Sequence, residues 1–483
     1  MMGIQTFELI YDRKGITPGI LHFGVGNFHR AHQAYYTNKL LSASDQKNWG
    51  ICGAMILKKD EAVFRSLEKQ EGCYGLTVYG RTGQDEYHRI GSLVELLWGI
   101  ENPQAIIDQI ANAHTKIISL TITEGGYNLD KKTRAFDFSN EAIRYDMGFP
   151  QNPLTVFGYI AAGLRKRMAA NAGPITILSC DNLPHNGDVC RDSFLAFLQK
   201  ADEGLCGWAK EHVRFPNSMV DRITPATSTD DIARLHALTG HEDLAPVYCE
   251  DFVQWVIEDD FPAGRPAWER VGVEFTDDVS KYEAMKLGFV NSTHQMLSCP
   301  GFLAGYRKVD EAVNDGRIAA YLQQYMELDV MPYLSPPPNT DLVAYKTAFM
   351  ERLGNKAVSD RLSRLCFDAA NKIPVYMAPT ITAMLNANAD MRRIAFFVAA
   401  YRLYLRRRKD EKGVAYTIDD PGLVKSDQAL IESSQPLDFL GLSCFCGVSL
   451  GSSKHFMVWY LKYCRDIESK GILATMDELI GGL

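Results

Sequence analysis

The sequence has no surplus of positive charge. Its 51 Lys and Arg stand against 59 Asp and Glu, a formal charge of −8, so the basic footprint of a nucleic-acid binder is missing. It also lacks a long apolar run. The stretch Ile394 to Tyr401 is stopped by Arg402 and then by Arg406-Arg407-Arg408-Lys409, whereas a bilayer span needs about 20 apolar residues. Met1 to Phe7 runs into Tyr11-Asp12-Arg13-Lys14 without an export-type apolar stretch, so neither secretion nor membrane association is expected. The 11 cysteines form no Cys-x-x-Cys pair, the nearest spacing being Cys444-Phe445-Cys446. Scattered thiols suit a reducing cytoplasm better than a disulfide framework or a zinc site, and no metal is expected.

What is present is ordinary for a globular protein: 46% hydrophobic and 23% charged residues, which argues against disorder or a fibrous chain. At 483 residues the chain is too long for one core and comfortable for two domains.

The first half alternates short apolar runs with helical patterns. Strands are expected at Gly19 to Phe23, Trp49 to Leu57, Lys116 to Thr123 and Pro174 to Ser179, and helices at Ala31 to Leu41 and Ala62 to Gln70. A hairpin is expected from Tyr74 to Ile90, turning at Arg81-Thr82-Gly83-Gln84. Near-continuous apolar strands separated by helices predict a parallel sheet covered on both faces. From Lys281 onward the pattern is mainly helical, at Glu311 to Met326, Asp341 to Arg352, Ser359 to Ala370 and Met391 to Arg408. The expected fold class is α/β: a Rossmann-type domain over 1–276 followed by a mainly α-helical domain over 277–483.

Two segments carry chemistry. Gly24-Val25-Gly26-Asn27-Phe28-His29 follows a strand and opens a helix, the context of a dinucleotide fingerprint. Its glycines allow a tight turn and close approach to a pyrophosphate, although His29 replaces the third glycine. After the second strand come Lys58-Lys59-Asp60. Asp60 suits a ribose diol and hence NAD, and the lysines leave NADP as the alternative. The other segment holds Lys286, Asn291 and His294. On an uninterrupted α-helix these fall at about 0°, 140° and 80°, within one face. A desolvated lysine can act as a base, and an amide and an imidazole can hold a reacting oxygen.

Taken together these segments resemble the polyol-specific long-chain dehydrogenase/reductase family, which includes mannitol 2-dehydrogenases, sorbitol and arabinitol dehydrogenases, and fructuronate and tagaturonate reductases. The resemblance runs through Gly24 to Gln33, Thr121-Ile122-Thr123-Glu124-Gly125-Gly126-Tyr127, Ser179-Cys180-Asp181-Asn182-Leu183, Phe215 to Pro225, Trp255 to Asp259, Lys286 to His294, and Lys372-Ile373-Pro374. It implies a metal-independent oxidoreductase that uses NAD, or alternatively NADP, to interconvert a sugar alcohol and its ketose, D-mannitol and D-fructose first among them. Lys286 matches the general acid/base, Asn182 and Asn291 the oxyanion-holding amides, and His294 a substrate contact. Asp221, Arg364 and Lys372 match substrate-binding positions, and Glu124 and Glu283 a proton route. Gly24, Gly26, Asn27, Phe28 and Arg30 fall in the cofactor turn, with Asp60 beyond it. Ser292-Thr293 and Ala369-Ala370 depart from the commoner Gly-Ser at both places. The implied partners are a small polyol or ketose, in a monomer or homo-oligomer. The rival readings are a sugar-acid reductase of the same family and a non-catalytic NAD- or sugar-binding regulator.

Overall fold

The computed structural model describes residues 4–81, 83–130, 133–338, 340–358 and 360–482; Thr82 and Ser359, at the expected hairpin turn and helix start, lie outside them. The chain divides after Ser280 into two compact units. Among the described residues no helix is long and apolar enough to cross a membrane.

The first unit is organised by a six-stranded, wholly parallel sheet in the order Leu93–Trp98, Gly50–Met55, Pro18–Phe23, Ile117–Leu120, Ile175–Ser179, Val213–Arg214. Its strands alternate faces at every residue. Leu21, Phe23, Ile118, Leu120, Ile175 and Ile177 enter one core, while Ile20, Ile117 and Leu178 enter the other. Burial on both faces explains why these strands read as unbroken apolar runs. Strand order reverses between Pro18–Phe23 and Ile117–Leu120, and doubly wound sheets bind ligands at the carboxyl ends flanking such a switch point.

Two smaller sheets complete the unit. One has the order Gln5–Phe7, Glu86–Ile90, Tyr74–Tyr79, Val247–Glu250, and contains the antiparallel hairpin expected from sequence. The other joins Ser218–Asp221, Gln254–Glu258 and Glu274–Thr276. The single helix expected over Ala31 to Leu41 is instead two, Asn27–Ala31 and Gln33–Leu40, because His32 leaves helical geometry at φ −121°, ψ −90°.

The second unit is helical around one large core that includes Phe289, Tyr321, Phe396, Tyr401 and Tyr460. Helix Arg392–Arg407 runs through it with thirteen buried residues in succession, Arg393 to Leu405. The buried Arg393 is matched by a two-point ion pair to Asp329, with both N–O distances 2.7 Å. Three expected helices are interrupted. Glu311 to Met326 breaks into Val309–Val313, Gly316–Gln324 and a π-turn at Tyr325–Val330. Ser359 to Ala370 yields only Leu362–Cys366, after which Asp368, at φ +56°, redirects the chain into Ala369–Tyr376. The third, at Lys286, belongs to the site.

The glycine turn is closely packed at its first glycine. Gly24 sits at φ +95°, and a Cβ there would lie 2.1 Å from the Thr121 carbonyl oxygen. At Gly26 an added Cβ meets nothing nearer than 3.9 Å. Gly24→Ala is therefore expected to cost about 1–3 kcal/mol from the left-handed backbone alone, read as a lower thermal midpoint, whereas Gly26→Ala leaves the midpoint unchanged. Equal midpoints for the two variants would refute this account.

Candidate active site

Beneath the glycine turn lies a buried polar network on the sheet face that carries the first helices. His22 Nδ1 shares a 2.8 Å hydrogen bond with Ser119 Oγ, which donates to Gln33 Oε1 at 2.8 Å. His22 Nε2 lies 3.1 Å from the Gly24 carbonyl oxygen and 3.0 Å from Thr121 Oγ1, and that hydroxyl donates to the same carbonyl at 2.6 Å. Burial pushes the His22 imidazole down to about 3, so it is neutral at ordinary pH. The ring of His29 stacks on His22, with centroids 3.4 Å apart and planes 12° from parallel. The residue that replaces the third glycine thus packs under the turn as a flat plate. No sequence signal pointed to His22 as its partner.

Three further turn residues separate. Asn27 donates to the Pro225 carbonyl and to Thr227 Oγ1, both at 3.1 Å. Phe28 is half-buried and stacks on His32 at 4.8 Å. Arg30, grouped by sequence with the cofactor turn, points inward. It is 3% exposed, donates to the Ala245 carbonyl at 2.5 Å and to Asn27 Oδ1 at 2.6 Å, and lies over the Tyr74 ring. In this structure the Arg30 side chain is thus engaged by the protein interior.

Asp60 closes the short turn Lys58–Asp60 after strand Gly50–Met55, before helix Glu61–Lys69. Partial burial raises its carboxyl above the ordinary value, with Lys59 opposing. Lys58, which sequence offered as a phosphate partner, is ion-paired to Glu61 at 2.9 Å. The open space over Gly26 and a carboxylate after the neighbouring strand fit a dinucleotide: Gly24 makes the tight turn, Gly26 would admit the pyrophosphate and Asp60 would meet the ribose diol.

Glu124 and Asn182 follow the ends of adjacent strands, Ile117–Leu120 and Ile175–Ser179. The carboxylate of Asp181 ties these ends together. It accepts from the backbone N–H groups of Ile122 and Thr123 at 3.1 and 2.8 Å and from the Tyr127 hydroxyl at 2.8 Å. Burial pushes Asp181 up to about 6, opposed by those three donors. Thr123 is held at φ +63°, outside the usual range for a β-branched residue, immediately before Glu124. On the other side of Asn182, the Asn186 amide donates to the Asp181 and Ser218 carbonyls at 3.0 and 2.8 Å. Asn182 is thereby presented at the surface of its loop by a fixed backbone. Cys180, beside it, is buried with its thiol raised by burial, an inert small apolar group. Asp221 ends strand Ser218–Asp221 and is 5% exposed.

In the helical unit, Glu283 and Lys286 lie three residues apart in helix Ser280–Lys286, both buried. The chain then widens into a π-turn, Leu287–Asn291, before resuming as helix Ser292–Leu303. The Ser292 N–H reaches back five residues to the Leu287 carbonyl, and the Ser292 hydroxyl donates to the Gly288 carbonyl. The uninterrupted α-helix assumed from spacing is therefore corrected, and the angles of Asn291 and His294 relative to Lys286 are set by the inserted turn. Single π-turns of this kind recur at functional sites. Asn291 is buried and His294 half-buried, its ring edge-on to Phe349 at 5.5 Å.

Arg364 extends from helix Leu362–Cys366 and pairs with Asp360, at 2.7 Å from Nε and 2.5 Å from Nη2. Lys372 donates to the carbonyls of Arg364 and Phe367 at 3.2 and 2.5 Å. Burial lowers its ammonium, with the like charge of Arg364 adding to the effect. Asp181, Asp360 and Asn186, which orient the candidate residues, were not identified from sequence.

Two family profiles match the chain: the mannitol dehydrogenase Rossmann domain over residues 18–270 and the mannitol dehydrogenase C-terminal domain over residues 278–456. The polyol:NADP oxidoreductase of Gluconobacter oxydans is 39% identical over 439 residues, 90% of each chain. The mannitol 2-dehydrogenase of Pseudomonas fluorescens, solved as a ternary complex with NAD and D-mannitol, is 41% identical with a TM-score of 0.89, covering 99% of this chain and 97% of its own. A D-sorbitol dehydrogenase solved in substrate-free form is 35% identical with a TM-score of 0.90, covering 98% and 100%. With likeness extending through both units at this level of identity, the chain belongs to the mannitol dehydrogenase family.

Proposed function

We propose that the protein is an NAD-dependent polyol dehydrogenase that interconverts a sugar alcohol and its ketose, with D-mannitol and D-fructose as the first pair to test. The observation that carries this reading is the full-length likeness to a mannitol 2-dehydrogenase solved with NAD and D-mannitol. The buried Glu283, Lys286 and Asn291 on one interrupted helix add chemical support. The likeness to a D-sorbitol dehydrogenase keeps D-sorbitol as the second substrate to try. Eleven free cysteines, ten of them buried, suit a cytoplasmic enzyme.

The bound dinucleotide would supply the hydride acceptor, and the chain supplies proton transfer and orientation. In oxidation, neutral Lys286 takes the hydroxyl proton at Nζ. The amides of Asn182 and Asn291 donate to the oxygen as it gains negative charge, and His294 fixes the substrate beside it. In reduction, protonated Lys286 returns the proton while the same amides hold the oxyanion. Glu283, one helical turn before Lys286, and Glu124 are proposed to pass that proton toward water. Asp221, Arg364 and Lys372 bind the remaining hydroxyls, so alignment rather than covalent chemistry supplies much of the rate.

The first assay is NADH formation with D-mannitol and D-sorbitol, and NADH loss with D-fructose. Lys286→Ala is expected to abolish turnover across the pH range while NADH still quenches protein fluorescence with unchanged affinity; near-normal activity at any pH would reject its role. Asn291→Ala is expected to lower kcat by about 10²–10³-fold, as for loss of one oxyanion donor, with cofactor affinity intact. Asp60→Ala is expected to weaken NAD+ binding by about tenfold or more, the worth of one charge-assisted hydrogen bond, without weakening NADP+ binding. An equal loss for both cofactors would remove Asp60 from the ribose site.

A further inference from the structure

Asp360 stands in the loop before helix Leu362–Cys366, and its surroundings are unusually determined. The residue is 7% exposed, while the side chain of Arg364 that it pairs with is 54% exposed. Its two oxygens take both donors on one edge of the guanidinium, at 2.7 and 2.5 Å, and the Arg361 N–H at 2.8 Å. Its own carbonyl accepts from Val309 N–H at 2.9 Å, which fixes the loop. The Arg364 guanidinium holds the Asp360 carboxyl below its ordinary value against the effect of burial. Lys372, the other cation proposed to bind substrate in this unit, donates to two carbonyls.

This arrangement decides which substrates suit the unit. A carboxylate ligand needs a cation whose charge is not already met, because removing two charges from water is repaid only by close opposite charge. Here the charge of Arg364 is met in advance. A second carboxylate on its outer edge would face Asp360 across the guanidinium plane. The protons still available, on Nη1 and the outer side of Nη2, can donate to hydroxyl oxygens, which bring no charge.

We propose that Asp360 is a specificity-determining residue that neutralises and orients Arg364, so that the site accepts uncharged polyhydroxyl chains and disfavours sugar acids of the same length. This rests on the polyol dehydrogenase reading and extends it to a residue that need not touch the substrate.

The test begins with the wild-type enzyme. D-Mannonate and D-gluconate are expected to inhibit D-mannitol oxidation with constants about tenfold or more above the KM for D-mannitol. Asp360→Asn is expected to raise that KM by about 10–100-fold, the loss of one hydrogen bond to a charged group, with kcat changed far less and NADH affinity unchanged. The same variant is expected to bind the sugar acids more tightly than wild type does. Asp360→Glu, which keeps the charge, should restore part of the lost KM and remain poorly inhibited by sugar acids. Sugar acids competing as well as D-mannitol in the wild type would overturn the proposal, even if Asp360→Asn does not fold. A raised KM without tighter sugar-acid binding would overturn it as well. Failure of every sugar alcohol to support NADH or NADPH formation would sink the polyol reading itself, and the proposal with it.

Discussion

The geometry of the first unit depends on one buried carboxylate. Parallel strands end side by side at the carboxyl edge of a sheet, and their last peptide groups have no ladder partners beyond that edge. Asp181 resolves this by accepting two N–H groups from the segment after the neighbouring strand and a hydroxyl from Tyr127. Thr123, held by one of those bonds, takes a left-handed conformation immediately before Glu124. The same bonds leave Asn182 one residue beyond a fixed point. The cost of burying the charge is visible in the raised Asp181 carboxyl, and three donors offset it.

The helical unit follows the same logic. Arg364 leans on Asp360, and the turn that starts helix Ala369–Tyr376 leans on Asp420, which accepts from Ala370 N–H and the Tyr401 hydroxyl. Arg364 and the loop that carries Asn182 are thus each held by a buried acidic residue, Asp360 and Asp181. Rigidity comes from satisfied hydrogen bonds in low-dielectric surroundings, where an unmet partner would be costly.

Much of this was readable in the chain. The parallel sheet was legible because strands buried on both faces are continuous apolar runs, as at Ile117 to Leu120 and Ile175 to Ser179. The glycine turn was legible because strand, turn and helix are consecutive. Beyond the hairpin, the two small sheets were not, since Leu76 pairs with Val247 across most of the domain and no local pattern records that pairing. The inward path of the Arg30 side chain was not legible, because a motif states which residues occur together and not which way each points. Asp181 and Asp360 escaped notice for a similar reason: an acidic residue beside a candidate looks the same in sequence whether it faces solvent or the partner it holds. The break at His32 and the π-turn after Lys286 depend on packing that periodicity does not see.

The π-turn has a further consequence. A π-turn takes up one surplus residue, so the helix beyond it keeps the register it would have without that residue. Were the same residues wound as plain α-helix with none removed, everything beyond them would swing by about 100° relative to Lys286. The relation between the lysine and the amide and imidazole that follow it is therefore written in how the turn is wound as much as in the kinds of residue. A scan that only exchanges side chains would leave that part of the blueprint untouched.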